Sequence, residues 1–259
     1  MTQEYTPNEM MVVAASRALW DGAVCFVGIG LPSAAANLAR MTHAPGVVLI
    51  YESGTIETRP DVLPLSIGDG ELCEQAVTTV SVPEMFRYWL QGGRIDVGFL
   101  GAAQIDRYAN LNTTVIGDYQ HPKVRLPGGG GAPEIATSSR EILITLRHSP
   151  RTFVDQVDFV TSLGHGSGKG SREAMGARGE GPKRVITDLC VMEPAPDTAE
   201  LMVTTLHPGI TADEVRDNTG WPIRFADSVG TTDPPGAREL EILRDLYART
   251  ERRHAGGAA

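Results

Sequence analysis

The sequence predicts an α/β fold, and two observations carry the prediction. Short aliphatic runs such as Val47-Val48-Leu49-Ile50 lack the alternation of a half-exposed strand and read as strands buried on both faces. Several of these runs end in glycine turns, and the first turn opens a helical stretch, giving strand, turn and helix in succession. With 259 residues, 41% hydrophobic and 21% charged, the chain has globular composition and length enough for a substantial core. A single domain spanning residues 1–259 is expected, because no linker or internal repeat divides the chain.

Taken in order, Thr6-Pro7-Asn8-Glu9 forms a turn and N-cap before an amphipathic helix over residues 10–19, closed by Asp21-Gly22. Residues 23–27 are a buried strand. They lead through Gly28-Ile29-Gly30 to Pro32, which suits a first helical turn, and to a helix over residues 34–40. The strand at residues 47–50 delivers Tyr51-Glu52-Ser53-Gly54, followed by a long connection over residues 54–70 rich in Pro, Gly and Thr. A helix is expected over residues 84–91, stopped by Gly92-Gly93, then a strand at 95–100.

Residues 107–112 have turn composition and residues 113–116 that of a short strand. The densest glycine run, Gly128-Gly129-Gly130-Gly131, comes next, with strands expected at 141–146 and 158–161. Residues 164–181 are small and polar, which predicts a mobile surface loop. A hairpin at 184–187 and 190–192, a strand at 201–206 and a terminal helix at 239–249 complete the chain, with residues 252–259 expected to fray.

Charge and cysteine content narrow the function. A net charge of -9 argues against a nucleic-acid surface, and an anionic ligand would need local positive potential from backbone amides or a few basic side chains. Cys25, Cys73 and Cys190 have no CxxC spacing, which predicts reduced, buried thiols with no disulfide framework. The six histidines show no ligand spacing, so no metal site is expected. Neither a signal peptide nor a bilayer-length apolar run is visible, and a cytoplasmic protein that does not engage a membrane is expected.

Three motifs invite chemistry. Gly28-x-Gly30 with an acid 22 residues beyond resembles a dinucleotide fingerprint, which would make Glu52 a ribose ligand of an NAD-dependent dehydrogenase. Ser33 stands where the third glycine belongs, and Pro32 removes an amide from the phosphate-facing turn. The segment around Lys169 misses two of the four fixed positions of a phosphate loop, although Lys169 and Arg172 could still meet a ligand phosphate.

Glu52 is the candidate reacting group. An acid just past a buried parallel strand lies on the sheet edge where open α/β folds bind ligands, although a lone carboxylate there is more often merely solvated. Glycine turns nearby can present successive amides to an oxyanion. Glutamate attacking a thioester gives an anhydride, which keeps the acyl group activated, whereas serine would give a stable ester. That suits moving a thiol carrier between acids.

The chain resembles the B, or β, subunits of the class I coenzyme A transferases, in the glutaconate CoA-transferase-like branch. Five stretches carry the likeness: Val27-Gly28-Ile29-Gly30-Leu31-Pro32, Tyr51-Glu52-Ser53-Gly54, the run from Gly101-Ala102-Ala103-Gln104 to Tyr108, Asn112 to Tyr119, and Gly128 to Pro133. The resemblance implies an open, mostly parallel sheet with helices on both faces, and Glu52 as the catalytic glutamate. It also implies an oxyanion and CoA pocket drawn from Gly28, Gly30, Gln104, Gly128, Gly129, Gly130 and Gly131. A separate A (α) subunit would share the site in a heterodimer or heterotetramer. Coenzyme A thioester would serve as substrate, with no tightly bound cofactor.

Within that family, transfer of CoA from succinyl-CoA to 3-oxoadipate, a dicarboxylic 3-oxo acid, is the expected reaction, as in aromatic hydrocarbon catabolism; glutaconate or another dicarboxylate is the alternative acceptor. Relatives that open steroid-derived rings lack the glutamate, so its presence favours transfer over hydrolysis. A metabolite sensor related to sugar-phosphate isomerases is the non-enzymatic alternative.

Overall fold

A computed structural model describes residues 4–256. Its elements in chain order are α1 (Pro7–Arg17), β1 (Val24–Phe26), α2 (Leu31–Met41), β2 (Val48–Ile50), β3 (Thr55–Ile56), α3 (Gly70–Glu74), β4 (Thr78–Thr79) and α4 (Val82–Glu84), which continues as a π-helical turn (Met85–Leu90). Next come β5 (Val97–Leu100), β6 (Gln104–Ile105), β7 (Leu111–Asn112), β8 (Val115–Gly117), β9 (Pro122–Arg125), α5 (Ala132–Ser138), β10 (Glu141–Thr145) and α6 (Ser171–Ala174). The chain ends with β11 (Gly181–Ile186), β12 (Cys190–Pro194), β13 (Leu201–Leu206), α7 (Ala212–Asp217), β14 (Arg224–Thr231) and α8 (Ala237–Gly256).

One ten-stranded open sheet runs β14-β13-β12-β11-β10-β5-β1-β2-β3-β4. Its centre, from β11 to β2, is parallel throughout. Antiparallel pairs extend it at both flanks, and β14 closes one edge parallel to β13. Alternate residues of the central strands feed two separate cores. Cys25, Leu49, Val97 and Leu143 face α1, α2 and α8, while Phe26, Ile50, Leu100 and Ile142 face α5 and the π-helical turn. Burial on both faces explains why these strands read as unbroken aliphatic runs.

From β1 the chain steps to β2 on one side and later returns to β5 on the other. The carboxyl ends of β1 and β5 therefore diverge into a crevice, the usual ligand position of an open α/β sheet.

Local chemistry fixes the first helices. Thr6 caps α1, its hydroxyl accepting from the Glu9 amide at 3.2 Å while the Thr6 amide donates to the Glu9 carboxylate at 2.8 Å, with Pro7 in the first turn. Glu9 also pairs with Arg244 of α8 at 2.6 Å, which holds its carboxyl below the usual range and ties the two helices together.

Several expectations are corrected. The helix expected at residues 84–91 is π-helical through Met85–Leu90. Residues 158–161 form no strand: Thr161 and Ser162 both donate to the Leu111 carbonyl, and the Thr161 hydroxyl accepts from Thr113, so this segment caps β7 without extending a sheet. The connection expected over residues 54–70 begins with a short strand, β3, and leads into α3. Residues 164–181 contain α6 and are pinned by Arg172, which is 2% exposed and donates to the carbonyls of Leu163, Gly164, Ala136, Arg178 and Gly179.

The segment from Arg252 onward is helical to Gly256 instead of frayed, and residues 257–259 lie outside the described region. Cys25 and Cys190 are buried free thiols as expected, but Cys73 is exposed. No helix among the described residues is long and apolar enough to cross a membrane.

Candidate active site

Glu52 stands in the tight connection between β2 and β3, where Ile50 pairs with Ile56. The turn is closed by the Gly54 amide on the Tyr51 carbonyl at 2.9 Å, and by the Tyr51 amide on the Thr55 carbonyl at 3.2 Å. Gly54 has φ +99°, and a Cβ there would lie 2.0 Å from the Val80 carbonyl oxygen, so only glycine fits. The Val80 amide in turn donates to the Gly54 carbonyl at 2.9 Å. Beneath the turn Tyr51 is fully buried, and its hydroxyl bonds Ser33 in the first turn of α2 at 2.7 Å. Burial pushes the phenol up to about 12, so it stays neutral. The serine that spoils the dinucleotide fingerprint thus has a structural use: it ties α2 to the strand end that bears Glu52.

The glycine run meets Glu52 from across the crevice. The Gly128 amide donates to the Thr113 carbonyl at 2.8 Å and anchors the turn, which then enters α5 with Gly131 as N-cap. A Cβ on Gly131 would lie 3.0 Å from Glu52 Oε1, 3.1 Å from Glu52 Cδ and 2.7 Å from Phe86 Cζ. The carboxylate and the Phe86 ring edge therefore crowd the same point beside the first turn of α5. The amides of Gly129, Gly130 and Gly131 donate to no protein acceptor among the described residues. Free amides at a helix entrance carry partial positive charge and suit a developing oxyanion.

Glu52 and the three free glycine amides line a cleft of about 520 Å³ at the carboxyl ends of β1, β2, β5 and β10, with Phe86 packed beside Glu52 outside that lining. Of the expected site residues, Gly28, Glu52, Gly129, Gly130 and Gly131 share its wall. Gly30 caps α2 with φ +81° and shapes the turn without lining the cleft. Gly128 and Gln104, like Gly30, are corrections to the expected lining. Gly128 is the anchor described above. Gln104 is buried with its amide donating to Asp158 at 3.0 Å and its carbonyl accepting from Asn112 at 2.7 Å, so it braces the β6–β7 hairpin.

The phosphate-binding possibility for Lys169 and Arg172 also fails. Lys169 donates to the Pro196 carbonyl at 2.8 Å, and the Arg172 guanidinium is consumed by backbone carbonyls.

Sequence reasoning missed three contributors. Phe86 was hidden in a segment read as ordinary helix, although aromatic-rich Phe86-Arg87-Tyr88-Trp89 was a visible signal. Thr145 and Arg147 line the cleft at the end of β10, where the sequence shows only the close of an apolar run. No group of His, Cys, Asp or Glu among the described residues is arranged to hold a metal ion.

A carboxylate facing unpaired amides across a switch-point cleft brings together the groups that acyl transfer requires. The sequence profile described as Coenzyme A transferase matches residues 8–218, and the chain belongs to that family. It is 64% identical to the B subunit of 3-oxoadipate CoA-transferase from Pseudomonas knackmussii, over 96% of both chains. It is 34% identical to the B subunit of glutaconate CoA-transferase from Acidaminococcus fermentans, over 93% of this chain and 92% of the other. The crystal structure of glutaconate coenzyme A-transferase from A. fermentans superimposes with a TM-score of 0.88 at 32% identity, covering 94% of this chain and 95% of that one. These findings set aside the dehydrogenase and sensor alternatives.

Proposed function

We propose that this chain, working as one domain over residues 1–259, is the B subunit of a two-subunit enzyme that moves CoA from succinyl-CoA to 3-oxoadipate. Likeness to the 3-oxoadipate CoA-transferase B subunit over nearly its whole length supports the acceptor and the need for an A subunit. The observation that carries the chemistry is the Glu52 carboxylate lying against Gly131 beside the free amides of the glycine turn.

A Glu52 oxygen attacks the thioester carbonyl of succinyl-CoA, and the amides of Gly130 and Gly131 hold the tetrahedral oxyanion. The C–S bond breaks, leaving a succinyl-glutamyl anhydride and CoA thiolate. The thiolate then attacks the glutamyl carbonyl, expelling succinate and leaving a glutamyl-CoA thioester. 3-Oxoadipate repeats the two steps in reverse, and Glu52 emerges as the free carboxylate. Thioester is exchanged for thioester, so no nucleotide triphosphate and no resident cofactor are needed. Phe86 and the aliphatic cleft wall keep water from the activated glutamyl carbonyl. We place the enzyme in the cytoplasm, where its three free cysteines remain reduced.

Incubating the assembled enzyme with succinyl-CoA and reducing with borohydride tests the mechanism. Peptide mass spectrometry should find Glu52 converted to the alcohol. An unmodified Glu52 in a preparation that turns over would refute it.

A further inference from the structure

Among the cleft-lining residues only two carry charge, Glu52 and Arg147; the rest are glycine, aliphatic or aromatic residues, with Pro32 and Thr145. Arg147 is exposed within that lining. Elsewhere arginines pair readily with carboxylates, as Arg107 does with Asp155, Arg140 with Asp96 and Arg184 with Glu193. Arg147 has no such partner among the described residues.

Its backbone, by contrast, is held on both sides. The Leu146 amide donates to the Ile186 carbonyl at 3.2 Å, and the His148 amide to Asp188 at 2.7 Å. The His148 ring stacks on Phe153 at 3.9 Å between centroids and bonds Thr219 at 3.0 Å and Thr187 at 3.2 Å. A rigid base carrying a free guanidinium in a cleft is the arrangement of a ligand-binding residue: the cost of fixing the chain is met before the ligand arrives.

We propose that Arg147 binds the distal carboxylate of a short dicarboxylic substrate, the carboxylate that does not react at Glu52. This rests on the reading of the cleft as a CoA-transfer site. The spacing supports it: β2 and β10 are separated by β1 and β5, three ladder spacings or about 14 Å between backbones. A glutamate and an arginine reaching inward from those strand ends leave a gap for a short carbon chain. Arginine matches a carboxylate with two parallel N–H bonds, and the aliphatic lining between the two charges suits the intervening methylenes. The guanidinium also supplies the local positive potential that an anionic substrate needs on a chain of net charge -9.

The same cation could instead meet a phosphate of coenzyme A, and one experiment separates the two. Calorimetric titration of the assembled two-subunit enzyme compares adipate with hexanoate, which differ only in the second carboxylate, and with free CoA. The unmodified enzyme should favour adipate, and Arg147→Gln should cut that preference roughly 10- to 100-fold, the worth of a hydrogen-bonded ion pair. Arg147→Lys should keep part of it, while CoA affinity changes far less. An unchanged preference in Arg147→Gln, an equal loss for both acids, a loss confined to CoA, or no preference in the unmodified enzyme would each overturn the assignment. Because binding is read without turnover, failure of CoA transfer to 3-oxoadipate would count against the proposed reaction and leave this result standing.

Discussion

Replacing Gly131 by alanine isolates the contact on which the mechanism depends. Gly131 has φ −83° and ψ −6°, a conformation open to any residue, so the backbone tolerates the change. The space does not. The new methyl would sit 3.0 Å from Glu52 Oε1 and 2.7 Å from Phe86 Cζ, where unstrained carbon contacts begin at about 3.5 Å. The carboxylate and the ring must each retreat by roughly 0.5 Å or more, and a displacement of about 1 Å near reacting atoms costs on the order of 100-fold in rate.

We expect kcat for CoA transfer by the assembled enzyme to fall about 10- to 100-fold, with the melting temperature nearly unchanged. Gly130→Ala is the control. Its φ of +50° strains the backbone by about 1–2 kcal/mol, yet nothing lies within 4 Å of the added carbon, so stability falls more and turnover less than in Gly131→Ala. Transfer kinetics measured by CoA thioester absorbance, beside thermal denaturation, read both quantities. A Gly131→Ala enzyme with full activity would refute the placement of Glu52 against the glycine turn.

Phe86→Ala removes the ring that closes the site beside Glu52, and the ratio of succinyl-CoA hydrolysis to transfer should rise, measured as free CoA released without acceptor. Arg172→Met strips five carbonyls of their donor in a buried position and should destabilise the protein by about 3 kcal/mol, read as a lower urea midpoint. Burial lowers His148 to about 4 from an ordinary 6.5. The unfolded chain therefore takes up this proton first as pH falls, so the associated stability is complete above 6.5 and is lost between 6.5 and 4. The loss amounts to up to about 3 kcal/mol. His207 and His165 are lowered in the same direction by burial. Urea unfolding at pH 7.5 and 5 should show the decline, and His148→Gln should flatten it.

The central sheet was legible because its strands are buried on both faces and so leave aliphatic runs such as residues 47–50 and 95–100. The capping of α1 was equally plain, since Thr6, Pro7 and Glu9 each have a local role. Short elements held by tertiary contacts were not. β4 pairs two exposed threonines with β3, and α5 is only seven residues long directly after a glycine run, so neither has a periodicity to read. Residues 158–161 failed in the other direction: they have strand composition, but their contact with β7 is a single bridge between Ser162 and Leu111 that does not extend into a ladder. At the site, Glu52 and the glycine turn were legible from residue type and position. Phe86 and Arg147 were not, because their relevance comes from packing across strands far apart in sequence. Gln104 was misplaced for the same reason: a polar residue at a strand end looks available until its neighbours Asp158 and Asn112 are known to occupy it.

Val80 touches the backbone of Gly54 so closely that the two segments behave as a clasp. Between them, residues 57–76 are tied inward by the fully buried Leu72 and by Thr58, whose amide donates to the Leu49 carbonyl and whose hydroxyl donates to that of Leu72, so only the exposed run at residues 65–68 can change without shifting the acid that the clasp secures. Exposed Leu65 and Ile67 lie on that span. The outer wall of the molecule can therefore vary at that run while the position of Glu52 against the glycine turn is kept.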